Sequence, residues 1–185
     1  MARNMVSNSV EKKVAEGELS PEQLVEFYRL MYLSRRTDDR EIVLKRQQKI
    51  FFQISCAGHE ALLVAAGMAM RPGYDWFYPY YRDQALMLGL GETPEQIFLA
   101  STGSADDPSS GGRQMPSHWG FPNSHVMTVS SATGSQCIPA VGCAEATTYF
   151  SRHRNIAPDD FHDDEITMVA LGDGACSQGE FWEAI

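Results

Sequence analysis

The chain has 185 residues, 43% apolar and 21% charged, with 15 Gly and 9 Pro, a globular composition long enough to bury a core of its own. Its 15 Lys and Arg face 24 Asp and Glu, a formal charge of −9, and a surface of that sign repels nucleic-acid backbones. The longest apolar run, Ala61 to Met70, is half the ~20 residues a membrane-spanning helix needs.

Residues 1–19 are polar and irregular and are expected to form a loose arm. They hold neither an apolar signal core nor an Arg-rich presequence, so the expected location is the cytoplasm. The four cysteines, Cys56, Cys137, Cys143 and Cys176, include no CxxC pair. They are expected to be small buried thiols in a reducing compartment.

Ser20-Pro21-Glu22-Gln23 reads as a helix start: Ser as N-cap, Pro at the first helical position, Gln three residues beyond the cap. Leu24, Phe27, Tyr28 and Met31 follow at helical spacing and predict a buried stripe. Thr93-Pro94-Glu95-Gln96 repeats the start without repeating its surroundings. Between them, His59 to Met70 predicts a second helix, followed by the aromatic cluster of residues 74–83. Residues 101–116 form a long polar loop rich in turn formers. Loop 101–125 offers little to bury and is expected to be disordered without a ligand. Gln136 to Phe150 predicts a helix of small residues, and 151–164 a hydrophilic link. Ile166 to Leu171 is an apolar run suited to a parallel strand buried on both faces. Helices, a buried strand and a glycine-opened helix make an α/β fold, a parallel sheet flanked by helices.

Gly172-Asp173-Gly174-Ala175-Cys176-Ser177 is the sharpest chemical feature. A buried parallel strand delivers the residues that follow it to the edge where α/β proteins bind ligands. A helix beginning near Ser177 would offer free N–H groups to an anion. A carboxylate there repels phosphate unless a divalent cation lies between them, so Asp173 fits a Mg²⁺ ligand. The competing reading is a plain turn in which Asp173 caps the helix. Arg82 offers a planar donor fork for phosphate and Tyr81 a hydroxyl; alternatively Arg82 stacks on its aromatic neighbours or pairs with Asp83. Arg113 lies near His118, which is either an acid–base group or a hydrogen-bonded loop residue. Ser130 to Gln136 is dense in hydroxyls and carbonyls, and suits a cofactor wall, a monovalent cation site or a plain helix entry. No GxSxG, GxxxxGK[ST], HExxH or GxGxxG occurs, so serine-hydrolase, P-loop and dinucleotide readings have no support.

Taken in order, Gly58-His59-Glu60-Ala61, Tyr81-Arg82-Asp83, Gly112-Arg113-Gln114-Met115-Pro116 with His118, Ser130-Ser131, Gln136 and Gly172-Asp173-Gly174 resemble one family. It is the alpha subunit of the thiamine-diphosphate-dependent decarboxylating component of 2-oxo acid dehydrogenase complexes. The resemblance runs from about Tyr28 to Ile185 and leans toward the branched-chain enzymes. It implies the thiamine-diphosphate-binding fold, with 20–185 as the N-terminal part of the cofactor-binding domain. The motif's closing Asn-Asn pair would lie beyond Ile185, in a longer chain that continues alone or into a fused beta part.

The resemblance also implies roles. Tyr81 and Arg82 would bind the diphosphate with Tyr80 close by. Ser131 and the Thr133 backbone would meet the aminopyrimidine. Asp173 would bind Mg²⁺ beside Gly172, and Gly174 and Ala175 would give N–H groups to the diphosphate. Branched-chain members hold K⁺ in the Ser-Ser loop, here Ser130, Ala132, Ser135 and Gln136. Tyr80 and Ala132-Thr133 depart from that pattern, where those members have Gln and Pro-Leu.

The implied reaction is oxidative decarboxylation of a 2-oxo acid with acyl transfer to a lipoyl carrier. The implied partners are a beta subunit in a heterotetramer and the lipoyl acyltransferase core. The glutamate that activates the aminopyrimidine belongs to the beta part, so residues 1–185 alone are expected to be inactive. The alternatives are a pyruvate or acetoin dehydrogenase subunit, or a non-catalytic assembly domain of the same fold.

Overall fold

A computed structural model describes residues 19–185; apart from Leu19, the expected N-terminal arm lies outside them. The chain opens with α1 (Pro21–Arg46), whose start is the one read from the sequence. Ser20 Oγ accepts from the Gln23 N–H at 3.2 Å, and the Gln23 side chain accepts from the Ser20 N–H at 2.8 Å. These two bonds satisfy donors that a helix start leaves open. The same reciprocal pair opens α4 (Pro94–Thr102) between Thr93 and Gln96.

The stripe expected on α1 is only partly right. Phe27 and Met31 pack against the core, but Leu24 and Tyr28 are exposed. No residue of α1 before Leu30 is buried among the described residues. The buried face is instead Leu30, Ser34, Thr37, Asp38 and Glu41, four of them polar. Helical spacing finds the period of a face; its polarity depends on what lies opposite.

Next come α2 (Glu60–Ala69) and α3 (Gln84–Gly89). They cross where a side chain at Gly67 would lie 3.0 Å from the Gly89 backbone, tighter than nearly all real contacts. Two glycines let the helices approach and seal Val64, Leu86 and Met87 into the core with Phe77 and Trp119.

Between these helices, β1 (Trp76–Tyr78) arises within the aromatic cluster. Aromatic residues favour strands, but three residues ending at Pro79 are too few to show an alternation. β1 pairs in parallel with β2 (Thr167–Val169), Phe77 opposite Met168. On its other edge Phe77 exchanges hydrogen bonds with the segment around Val126: its N–H reaches His125 O, and Met127 N–H reaches its own O. Parallel neighbours need a crossover, and here it includes α3, α4 and α5 (Cys137–Arg152).

The strand after 166 corrects an expectation. It covers three residues, all half-buried, and Ile166 is exposed. Among the described residues β2 pairs only with β1, and these residues leave it half-buried. The glycine-opened helix is also displaced: Asp173–Ser177 is a 3-10 turn, and α6 (Gly179–Ala184) begins after it.

The buried Asp107 carboxylate accepts from the Ser109 and Ser110 N–H groups at 3.0 Å and from Ser110 Oγ at 2.7 Å. Cys56 and Cys137 are buried as expected, while Cys143 and Cys176 are half-buried; all four are free thiols. No described helix is long and apolar enough to cross a membrane. The α/β architecture stands.

Candidate functional site

Three parallel segments end at one edge. The residues following β1 are Pro79-Tyr80-Tyr81-Arg82. Those following Met127 lead to Ser130–Gln136, and those following β2 lead to Gly172–Gln178. The carboxyl edge of a parallel sheet is where α/β proteins gather ligand-binding loops, because strand direction sends every connection there.

The three loops meet. Tyr80, Tyr81, Ser117, His118, Ser130, Ser131, Ala132, Thr133, Gly134 and Gln136 line one narrow cleft. A side chain added at Gly172 would come 3.1 Å from the Tyr80 hydroxyl, so glycine there allows β2's loop to close on the first. Gln136 Nε2 donates to Ala170 O at 2.7 Å, tying the Ser-rich loop to the end of β2. Gly134 faces Gln178 from the other side. Tyr80, Tyr81, Ser130, Ser131, Ala132, Thr133 and Gln136 are therefore brought together; Arg113 is not, its Nε donating to Ser110 O within the polar loop.

The first loop is held from below. Asp83 is buried, and its carboxylate accepts from the Tyr80 N–H at 2.7 Å. Burial pushes this carboxyl up to about 7, against the lowering effect of that bond. Asp83 does not pair with Arg82. The Arg82 guanidinium lies 5.2 Å from the Tyr81 ring centre, and its Nη1 donates to Ser55 O at 2.8 Å. Stacking thus describes Arg82 better than an ion pair, and among the described residues Ser55 O is its one hydrogen-bond acceptor of good geometry. The Tyr80 and Tyr81 hydroxyls are hydrogen-bonded to each other. Burial first, then this bond, raises the Tyr80 phenol to about 12, so it stays protonated.

His118 acquires a definite role. Its Nδ1 lies 3.2 Å from Pro116 O, and its Nε2 is hydrogen-bonded to Ser131 Oγ. A carbonyl only accepts, so Nδ1 carries a hydrogen; in the neutral ring Nε2 is then the acceptor of the Ser131 hydroxyl. The Ser131 oxygen is left as an acceptor. Sequence spacing gave no sign of this link across 13 residues.

Asp173 lies exposed at the head of its turn and does not cap it; the cap is Gly172, and no side chain bonds there. Gly174 is open, with nothing near where a side chain would sit. Ala175 differs from expectation. It is buried, and its N–H donates to Gly172 O at 2.9 Å, closing the 3-10 turn instead of facing a ligand. No trio of His, Cys, Asp or Glu able to hold a metal occurs among the described residues, so a cation at Asp173 would need oxygens from its ligand or from elsewhere in the protein. In the Ser-rich loop, Ser135 Oγ is buried without a hydrogen-bond partner, an open acceptor of the kind a monovalent cation uses.

The remaining anchor of the resemblance, Gly58-His59-Glu60-Ala61, serves packing. Glu60 accepts from Arg35 Nε at 2.6 Å and from the Gly58 N–H at 2.8 Å, docking α2 on α1.

Residues 28–185 match the family described as dehydrogenase E1 component. The 2-oxoisovalerate dehydrogenase subunit alpha of Bacillus subtilis is 37% identical over 165 residues, covering 89% of this chain and 47% of that protein. The pyruvate dehydrogenase E1 component subunit alpha of Mycoplasma pneumoniae is 32% identical over 90% of this chain and 40% of that protein. The 3-methyl-2-oxobutanoate dehydrogenase subunit alpha of Mycobacterium tuberculosis is 30% identical over 91% and 40%. The chain spans about half the length of such relatives, or less.

Proposed function

Because the chain belongs to the dehydrogenase E1 component family, we propose that it supplies half of a thiamine-diphosphate site in a 2-oxo acid dehydrogenase. The reaction is oxidative decarboxylation of a small 2-oxo acid, a branched-chain one favoured by the 37% identical relative, with acyl transfer to a lipoyl carrier. The partners are a beta subunit, or a fused beta part, and the lipoyl acyltransferase core; the setting is the cytoplasm. Residues 20–185 are the N-terminal part of the thiamine-diphosphate-binding domain.

One observation carries this reading: three parallel segments deliver an Arg-Tyr loop, a hydroxyl-rich loop and a Gly-Asp-Gly turn to one edge. An anion-binding fork, small polar wall residues and a lone carboxylate suit a diphosphate bridged to protein by a cation. The residues fit the group. Among the described residues Arg82 keeps donors beyond the one bound to Ser55 O, Gly172 permits close approach, and Gly174 N–H has no acceptor in its own turn.

Bound thiamine diphosphate supplies an electron sink for the carbanion formed as carbon dioxide leaves. Arg82 and Tyr81 hold the diphosphate, Gly174 adds an N–H, and Asp173 holds Mg²⁺. The buried Ala175 packs the turn and gives no N–H. With neutral His118 Nε2 accepting from the Ser131 hydroxyl, Ser131 Oγ would be free to accept from the aminopyrimidine side of the cofactor, with the Thr133 backbone beside it. Ser130, Ala132, Ser135 and Gln136 would hold K⁺, a role that the buried, unpartnered Ser135 hydroxyl supports.

Thiamine diphosphate binding with Mg²⁺, measured on the full-length protein with its partner, tests the reading. Asp173→Ala is expected to abolish binding at micromolar cofactor. Unchanged binding would favour a non-catalytic assembly domain. Turnover compared across pyruvate, 2-oxoisovalerate and acetoin separates the substrate classes.

A further inference from the structure

Asp38 sits in the middle of α1, 2% exposed, with no Lys, Arg or His in ion-pair contact among the described residues. A buried carboxylate without a counter-ion is costly, and an apolar side chain at that position would pack more favourably. Both of its oxygens nonetheless have a partner, and both partners lie in one short segment. Oδ1 accepts from Gln53 Nε2 at 2.6 Å and Oδ2 from Ser55 Oγ at 2.7 Å. Residues 52–56 belong to no helix or strand, so no regular hydrogen-bond ladder fixes their backbone. The backbone carbonyl of Ser55 is the group that accepts from Arg82 Nη1 at 2.8 Å.

These bonds form a chain: carboxylate to serine hydroxyl, serine carbonyl to guanidinium. We infer that Asp38 is a positioning residue for the cofactor's diphosphate, fixing the Ser55 carbonyl that aims Arg82. The inference rests on the proposed role of Arg82. A guanidinium is planar, so fixing one N–H direction fixes the plane of the remaining fork. Asp83 holds the other side of the same loop through the Tyr80 N–H. The arginine loop is thereby clamped by two buried acids, neither of which touches the cleft.

A double-mutant cycle on the full-length protein with its partner tests this, with the dissociation constant of thiamine diphosphate at saturating Mg²⁺ as the readout. Asp38→Ala is expected to weaken binding about tenfold, and by less than about twofold once Arg82→Ala is present, because coupled groups are not additive. Asp38→Asn, whose amide can still bond both Gln53 and Ser55, is expected to restore most of the affinity. Full additivity of Asp38→Ala and Arg82→Ala would overturn the positioning role while leaving Arg82 at the diphosphate. Unchanged binding in Arg82→Ala would overturn the reading of Arg82 itself, and this inference with it. Should Asp38→Ala fail to fold, Gln53→Ala and Ser55→Ala each remove one link and run the same cycle.

Discussion

The two strands of the small sheet are paired residue for residue, yet their surroundings differ. Phe77 at the centre of β1 is fully buried, with chain on both edges and α2 and α3 residues in the same core cluster. Met168, its partner on β2, is only half-buried, and nearby Ile138, Val141, Ile166 and Trp182 are exposed. A parallel strand is stable when both faces and both edges are covered. Cover for β1 is complete within the described residues; cover for β2 is not. The candidate site lies on the seam, its arginine loop anchored in the well-packed part and its Gly-Asp-Gly turn in the open part.

The largest expected effect follows from this contrast. Phe77→Ala is expected to destabilise the protein by about 3–5 kcal/mol, as truncation of a buried aromatic does. Met168→Ala, removing a half-buried side chain, is expected to cost less than half of that. Urea unfolding of the 185-residue chain checks both, and equal losses would erase the distinction between the strands.

A smaller effect concerns the polar face of α1, where the well-packed region holds acids instead of leucines. Burial pushes the Glu41 carboxyl up to about 7, partly offset by a hydrogen bond from Ser101, with Asp38 nearby adding to the rise. A raised carboxyl pKa means that folding disfavours the ionised form. Its contribution is therefore most favourable below the unfolded value of 4.5 and is lost as pH rises toward 7. Glu41→Gln keeps an acceptor for Ser101 and removes this slope. It is expected to gain up to about 3 kcal/mol relative to the parent at pH 8 over pH 4.5, at 1.36 kcal/mol per pKa unit. Stability measured across that range checks the sign, and a larger gain at the acidic end would refute it. The smallest effect is expected at Trp182→Ser in the open region, within about 0.5 kcal/mol by the same unfolding measurement.

Much of the scaffold was legible because its signals are local. Both capping boxes need only a Ser or Thr, a Pro and a Gln within four residues, and both formed as read. The three loops that meet at this sheet edge were also singled out from their residues, since Arg-Tyr, Ser-Thr and Gly-Asp-Gly stretches carry recognisable donors and acceptors. β1 was not seen, because three aromatic residues before a proline carry too little pattern. The engaged N–H of Ala175 was not seen either, because a 3-10 turn and a true helix start share the same glycines.

By itself, then, the sequence determined the helix starts, the α/β class, the family and which loops carry chemistry. These depend on residue type and short spacing. Only the tertiary structure decided that the buried face of α1 is polar, that His118 Nε2 meets the Ser131 hydroxyl, and that Asp38 reaches Arg82 through Ser55. Each of those depends on partners 13 or more residues apart meeting in space, and no local pattern records which distant donor will face a given acceptor.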